Sequence, residues 1–188
     1  ISINETIWLS DYETNSFLIK IKKCVLIEYA AFFGSIQIFK YLNIQGIELT
    51  SSLWLFAIHG NNSEIILMLD ENNAKPEKKS YEQCFIESIK CHHNDMANFI
   101  LINYMQNEYE KSENVFNQAI KYYNFAFIKK RFINESSFIN LCKYDYYDLV
   151  HFIMKNNNVK LNKADIMAHK ILIQFHQAKI FNDIVYFC

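Results

Sequence analysis

The sequence has little glycine or proline: three Gly and one Pro among 188 residues. Sandwiches and barrels of β-strands reverse direction many times, and their turns use these two residue types heavily. An excess of charge is also lacking, because 19 basic residues face 20 acidic ones. The chain therefore offers no strong field to a phosphate backbone or an acidic membrane. Since 51% of it is hydrophobic, we expect a helical chain with a sizeable core that binds neither nucleic acid nor membrane.

Long apolar runs and a disulfide framework are absent as well. No run approaches the roughly 20 residues that span a bilayer, and the first residues do not resemble a signal peptide. The five cysteines are widely spread: Cys24, Cys84, Cys91, Cys142 and Cys188. We expect reduced thiols in an intracellular, cytoplasmic protein. Because the chain begins without Met and ends in an apolar stretch, we expect both ends to continue in a longer protein.

A helix–turn–helix pattern recurs along the chain. It is clearest from Leu26 to Leu42, where apolar residues at helical spacing are interrupted by Gly34 and Ser35. Glycine accepts the positive φ that lets the chain reverse, and the serine hydroxyl can cap the second helix. An apolar pair marks the second helix of each copy, at spacings of 27, 31, 31 and 22 residues: Ile38-Phe39, Ile65-Ile66, Met96-Ala97, Phe127-Ile128 and Leu149-Val150.

Each copy shares two further features. Permissive or capping residues precede the marker pair: Gly34-Ser35, Gly60 to Ser63, Asn94-Asp95, Asn124 and Asp145. A small or apolar pair lies upstream, in the first helix: Ala30-Ala31, Ala57-Ile58, Ser88-Ile89, Ala119-Ile120 and Leu141-Cys142. One helical hairpin cannot bury its apolar face alone, whereas stacked hairpins can. Residues 170–188 contain a sixth copy, marked by either Ile180-Phe181 or Ile184-Val185.

The first copies resemble the ankyrin repeat. Gly34 to Leu42 is similar to the second helix of that repeat, and Ala30-Ala31 stand where ankyrin repeats have paired alanines. With 13–19, 52–60 and 89–95, these segments resemble the divergent ankyrin proteins of trichomonad-type protists, many of which carry a domain of unknown function. The resemblance implies an ankyrin fold and no assigned chemistry. The Thr-Pro-Leu-His opening of standard repeats is missing, so few or no β-hairpin fingers are expected.

We therefore predict an all-α, ankyrin-like solenoid of stacked helix-turn-helix repeats. Residues 1–22 are expected to form an N-terminal flanking segment before the repeats of residues 23–188. The expected limits of the repeats are 23–50, 51–79, 80–111, 112–134, 135–163 and 164–188. Irregular loops are expected around residues 72–79, 106–113 and 156–162.

The predicted function is recognition of a protein partner by a monomer, without catalysis, cofactor or metal. No nucleophile elbow or phosphate-binding loop occurs. An ankyrin arrangement binds through first helices and loops, which gives the candidate partner contacts Glu28, Tyr29, Trp54, Glu82, Glu87 and Lys121. Trp54 and Phe56 lie on opposite sides of one helix, so we expect at least one to face outward, although we favour the core for Trp54. A structural spacer within a larger scaffold is the alternative function.

Potential zinc ligands are densest at Cys84, Cys91, His92 and His93. The two cysteines lie two helical turns apart, too far for one ion, and the adjacent histidines point in different directions. We therefore interpret the cysteines as buried thiols and the histidines as residues that favour a helix C-terminus. A zinc site around Cys91-His92-His93 is the alternative. His59 also ends a first helix, and we expect it to hydrogen-bond the backbone of the following turn.

Overall fold

The computed structural model describes residues 5–76, 81–105, 113–128 and 135–155. These residues are mostly helical, as predicted, with ten α-helices, a three-residue 3-10 helix and two short β-strands. The chain divides into two compact units, Ile1–Tyr109 and Glu110–Cys188. No helix in the described residues is both long and apolar enough to cross a membrane. The loops predicted at 72–79, 106–113 and 156–162 lie partly or wholly outside this part of the chain, as does the predicted sixth copy at 170–188.

The first unit opens with a small strand pair. Strand β1 (Thr6–Trp8) and strand β2 (Lys23–Val25) pair antiparallel and flank helix α1 (Ser16–Ile21). The side chain of Asn15 caps α1 by accepting from the N–H groups of its first turn. Sequence analysis does not predict this strand pair, because three residues are too few to show the alternation that identifies a strand.

Three helical pairs follow in the first unit. They are α2 (Leu26–Phe32) with α3 (Ile36–Ile44), α4 (Leu53–His59) with α5 (Ser63–Glu71), and α6 (Tyr81–Lys90) with α7 (Asn94–Tyr104). The first helices of consecutive pairs pack together, α2 against α4 and α4 against α6, and α3 lies beside α5. Trp54 and Phe56 are both buried. The prediction that one of them faces outward is wrong, because neighbours cover α4 on more than one side.

The second unit contains helices α8 (Glu113–Lys121), α9 (Glu135–Lys143) and α10 (Tyr147–Lys155) in its described residues. Helix α9 packs against both α8 and α10, around a core that includes Phe116, Phe138 and Leu141. The second element of the fourth predicted repeat is a 3-10 helix (Phe125–Phe127), where a full helix was expected within 112–134. Its aromatic residues have only modest helix propensity.

The turn between paired helical elements has one geometry in the five copies that the structure describes. Four residues before each marker pair, one residue adopts a left-handed conformation: Gly34, Asn61, His92, Tyr123 and Asp145. Its N–H bonds to the carbonyl three residues back, and the next N–H bonds to the carbonyl five residues back. This is the Schellman motif, which satisfies carbonyls at a helix end. The accepting carbonyls belong to the small or apolar pairs identified in the sequence, and all of those pairs are buried.

The left-handed residue differs from the predicted turn residues in two copies. His92 and Tyr123 take the left-handed position instead of Asn94-Asp95 and Asn124, because the end of the preceding helix sets that position whatever residue occupies it. Ser35 makes no side-chain cap to α3, so that prediction is wrong. Asn62 does cap α5, by accepting from the N–H groups of Glu64 and Ile65.

The side chain of the residue after the left-handed position forms a hydrogen bond with a backbone carbonyl of the preceding turn. In the first unit, Asn62 Nδ2 donates to the Gly34 carbonyl at 3.2 Å, and His93 Nδ1 lies 2.9 Å from the Ile58 carbonyl. In the second unit, the Tyr146 hydroxyl donates to the Ile120 carbonyl at 2.8 Å. Asparagine, histidine and tyrosine thus satisfy the backbone of a neighbouring pair from equivalent positions.

Candidate functional site

Three side chains with binding or catalytic chemistry meet where α4 and α6 end. His59 is the last residue of α4, and Glu87 and Cys91 lie four residues apart at the end of α6. Residues four apart share one helix face, and the Cys91 N–H still bonds to the Glu87 carbonyl. Since α4 packs against α6, this face meets His59. We call these three residues the His59 cluster.

The His59 cluster is compact and largely enclosed. His59 Nε2 lies 2.9 Å from Glu87 Oε1, and Cys91 Sγ lies 3.4 Å from His59 Nδ1 and 4.0 Å from Nε2. Only 9% of the His59 side chain and 16% of the Glu87 side chain are exposed. One ligand atom from each residue falls within 4.8 Å of the other two.

Neighbouring groups hold the cluster in place. The ring centroids of Phe17 and Phe32 lie 4.2 Å and 5.2 Å from that of the His59 imidazole, which restricts rotation of the histidine. The Lys90 ammonium lies 2.7 Å from Glu87 Oε1. Glu87 Oε1 therefore receives two hydrogen bonds, one from the histidine and one from the lysine.

Burial acts on the ionisable groups of both Glu87 and Cys91. It would by itself raise the pKa of the Glu87 carboxyl, but the hydrogen bonds from His59 and Lys90 outweigh it and hold that pKa below its ordinary value. Burial, followed by the Glu87 charge, raises the pKa of the Cys91 thiol to about 11. Without a bound cation, Cys91 is therefore a neutral thiol at physiological pH, next to an ionised carboxylate.

The sulfur position argues against nucleophilic chemistry, whereas the set of donor atoms suits a metal. Cys91 Sγ lies 3.4 Å from Nδ1 and 4.0 Å from Nε2, and the small difference shows that it is not in line with the lone pair of either nitrogen. A histidine base takes a proton along that line, and an activated cysteine has a lowered pKa. Nitrogen, carboxylate oxygen and sulfur together are instead the donor set that zinc uses in proteins.

A cleft of about 580 Å³ opens onto the His59 cluster. Its walls include Asn15, Phe32, Phe33, His59, Lys90 and Cys91. Both His59 and Cys91 therefore lie on a path from solvent.

The structure separates the zinc ligands that the sequence groups together. His92 is exposed at the left-handed turn position, His93 bonds to the Ile58 carbonyl, and Cys84 is buried in the core. The alternative site around Cys91-His92-His93 is therefore wrong, since Cys91 faces His59. The expected backbone bond of His59 is also wrong, because its ring meets the Glu87 carboxylate. The repeat register could have predicted that His59 and Cys91 are close. His59 lies two residues before the left-handed residue of its turn, and Cys91 lies one residue before that of the next turn.

The predicted partner contacts fall into different environments. Trp54 has no exposed surface, and its indole N–H donates to the Ala74 carbonyl. Its predicted role as a partner contact is wrong, and the core position we favoured is confirmed. Glu28 accepts from the Val25 N–H at 3.0 Å and from the Ser52 hydroxyl at 2.8 Å, so its carboxylate links α2 to the start of α4.

The other predicted contacts are more varied in exposure. Glu87 belongs to the His59 cluster, and Tyr29 is half-buried with its ring against Phe33. Glu82 and Lys121 are exposed. The structure thus leaves two of the six side chains clearly exposed, and these two lie in different units.

An apolar surface lies on the second helices, where it was not predicted. Ile38, Tyr41 and Ile44 of α3 are 50%, 57% and 79% exposed. Their spacing of three residues places them along one side of the helix. We call these three residues the α3 face.

Comparison of this chain with protein-family models, with curated proteins and with solved structures finds no match.

Proposed function

We propose that this chain is a protein-binding module built of divergent ankyrin-type repeats, without catalysis of its own. The recurrent Schellman turn and the bonds from one turn to the preceding turn support a repeat architecture. In repeat proteins, each unit contacts mainly its neighbours, so surface positions are free to serve binding. Free thiols at the four described cysteines support an intracellular location.

The α3 face is the observation that carries the binding proposal. Counted from the left-handed residue of each turn, Ile38 and Tyr41 of α3 correspond to Ile65 and Met68 of α5. Ile65 is fully buried and Met68 is half-buried, and α5 lies beside α3. The two α3 residues are therefore exposed at positions where the equivalent residues of α5 are covered by the protein. An apolar side chain gains about 25 cal/mol for each Å² that a partner removes from water.

The proposed occupant of the α3 face is an amphipathic helix of a protein partner. Side chains three and four residues apart form a ridge that fits the groove of another helix. Helices with an apolar face commonly bind grooves and faces of this kind. The ion pair of Lys40 with Glu64, at 2.5 Å, joins α3 to α5 and offers no unbalanced charge to the partner. The apolar residues should therefore dominate the affinity.

The experiment selects a displayed library of amphipathic helical peptides against the recombinant chain. Selected peptides should bind at least about tenfold more weakly to an Ile38→Ser/Tyr41→Ser double variant, a loss of 1.4 kcal/mol or more. The matched control is Leu67→Ser, which removes another exposed aliphatic side chain, from α5, and should leave binding unchanged. Analytical ultracentrifugation of the free chain should show a monomer.

Two results would contradict the proposal. If no peptide is selected, or if selected peptides bind the double variant as well as the wild type, the α3 face is not a recognition surface and the spacer function is favoured. If the wild type self-associates and the double variant does not, the face belongs to a second copy of this chain.

A further inference from the structure

We propose that the His59 cluster binds a zinc ion, with His59 Nε2, a Glu87 carboxylate oxygen and Cys91 Sγ as its protein ligands. The function proposed above does not require this site. The ion would join the ends of the first helices of two consecutive pairs, since His59 ends α4 whereas Glu87 lies on α6 and Cys91 directly follows it.

The positions of the donor atoms are close to those of a tetrahedral zinc site. Zinc–nitrogen and zinc–oxygen bonds near 2.0–2.1 Å and zinc–sulfur bonds near 2.3 Å imply donor separations of roughly 3.3 Å for nitrogen to oxygen and 3.6 Å for either to sulfur. In the cluster, Nε2 lies 2.9 Å from Oε1 and 4.0 Å from Sγ. The carboxylate oxygen and the sulfur lie within 4.8 Å of each other. Because Sγ lies nearer Nδ1 than Nε2, at 3.4 Å against 4.0 Å, the Cys91 side chain must rotate toward Nε2 before one ion can bind both.

The surroundings of the cluster suit a metal ligand set. Glu87 and Cys91 are four residues apart at a helix end, a spacing at which two side chains can chelate one ion from the same face. Phe17 and Phe32 restrict the imidazole ring, which reduces the freedom that binding would have to remove. The cleft beside His59 and Cys91 gives the ion a route from solvent and leaves space for a water molecule as the fourth ligand.

Binding requires three changes in the cluster. Zinc binds the Nε2 lone pair of His59, so the Nε2–H bond that faces Glu87 breaks, its proton goes to solvent, and the neutral ring carries its proton on Nδ1. Zinc takes sulfur as the thiolate, so the Cys91 S–H bond breaks, the electron pair stays on sulfur to form the zinc–sulfur bond, and the proton leaves through the cleft to solvent. The Lys90 ammonium, 2.7 Å from Glu87 Oε1, competes with the ion for the carboxylate. Zinc must displace this lysine from the oxygen it binds, so Lys90 should weaken the affinity of the site.

The experiment titrates the metal-free full chain with zinc chloride in competition with a chromophoric chelator, and with cobalt chloride as a spectroscopic probe. Wild type should bind one zinc per chain at this site, and cobalt should give a near-ultraviolet sulfur-to-metal charge-transfer band. Cys91→Ser and His59→Gln should each weaken zinc binding at least about 100-fold, because even groups that only support a ligand contribute 10–100-fold. Lys90→Gln should bind zinc more tightly than wild type.

The matched control is His92→Asn, which removes the exposed histidine next to Cys91 and places at the left-handed position a residue that tolerates it. It should bind zinc like the wild type. Alkylation of the wild type with iodoacetamide, followed by peptide mass spectrometry, tests the site without any substitution, and zinc should protect Cys91. A stoichiometry of zero, a Cys91→Ser variant that binds as well as the wild type, or a Cys91 that zinc leaves unprotected would each overturn the proposal.

Discussion

Two of the three glycines lie where consecutive turns of the first unit meet. A Cβ atom added to Gly60 would lie 2.1 Å from the Ala31 carbonyl oxygen and 2.7 Å from the Gly34 nitrogen. A Cβ added to Gly34 would lie 2.6 Å from the Gly60 carbonyl oxygen. These neighbours are backbone atoms and cannot rotate away, so either alanine substitution must push α2 and α4 apart. Gly46, which has no atom within 4 Å of its added Cβ, provides the control.

The three positions separate backbone strain from steric contact. Gly46 has φ +84 and no contact, so Gly46→Ala should cost only the left-handed strain of about 1–2 kcal/mol. Gly60 has φ −70, a helical value that alanine accepts, so Gly60→Ala should cost only the overpacking, about 3 kcal/mol at the upper end of the usual range. Gly34 has φ +62 and the contact, so Gly34→Ala should combine both costs at about 3–5 kcal/mol.

Urea unfolding measures these losses. Fluorescence of the buried Trp54 reports on the core between α4 and α6, and circular dichroism checks that each variant is helical before urea is added. The double variant Gly34→Ala/Gly60→Ala should lose less than the sum of the single variants, because both substitutions open the same contact. A Gly60→Ala variant as stable as the wild type or more stable would refute the steric contact, and it is the result that helix propensity alone would give.

Three further predictions concern polar groups. Asn62→Ala should destabilise the first unit by about 1–2 kcal/mol in urea unfolding, because it removes both the cap of α5 and a hydrogen bond to the preceding turn. Asn62→Asp keeps the cap but not that hydrogen bond, so it should recover part of the lost stability. Tyr146→Phe should lower the free energy of unfolding by about 1–2 kcal/mol, because it leaves a buried carbonyl without its donor. In the control Tyr123→Phe, the lost hydroxyl donates at an exposed position, so the cost should be under about 0.5 kcal/mol. Equal losses of stability would contradict the assigned bonds. Folding lowers the pKa of Glu87 from its ordinary 4.5, so the stability that its carboxylate contributes should be fully present above about pH 4.5 and lost as pH falls further. The free energy of unfolding of Glu87→Gln should therefore differ from that of the wild type near pH 7 and converge with it in acid. A difference independent of pH would refute the lowered pKa.

Much of the local structure follows from the sequence. Apolar residues at helical spacing identify the paired helices, and the buried small or apolar pairs lie at the helix ends that the pattern indicates. The repeat spacing of 27, 31, 31 and 22 residues places the left-handed residue of each described turn between paired helical elements. These features are local, because hydrophobic periodicity and helix termination depend on neighbours within a few residues.

The environment of single side chains was less predictable. Trp54 lies in the core and Ile38 is exposed, although both have the apolar character of core residues. Exposure depends on whether another helix covers that side, which the residue itself does not encode. The exposed α3 face therefore appears only when α3 and α5 are compared in three dimensions.

Only the tertiary structure assembled the His59 cluster. In the sequence, Cys91 stands next to His92 and His93 and far from His59, and composition alone groups the adjacent residues. The turn at the end of α6 directs those histidines elsewhere, while the packing of α4 against α6 brings His59 to Cys91 across 32 residues of chain. The sequence by itself determined helices, turns and their period, because these arise from local periodicity. Which side chains meet between helices was decided by packing, because a contact between distant residues depends on the register of two helices at once.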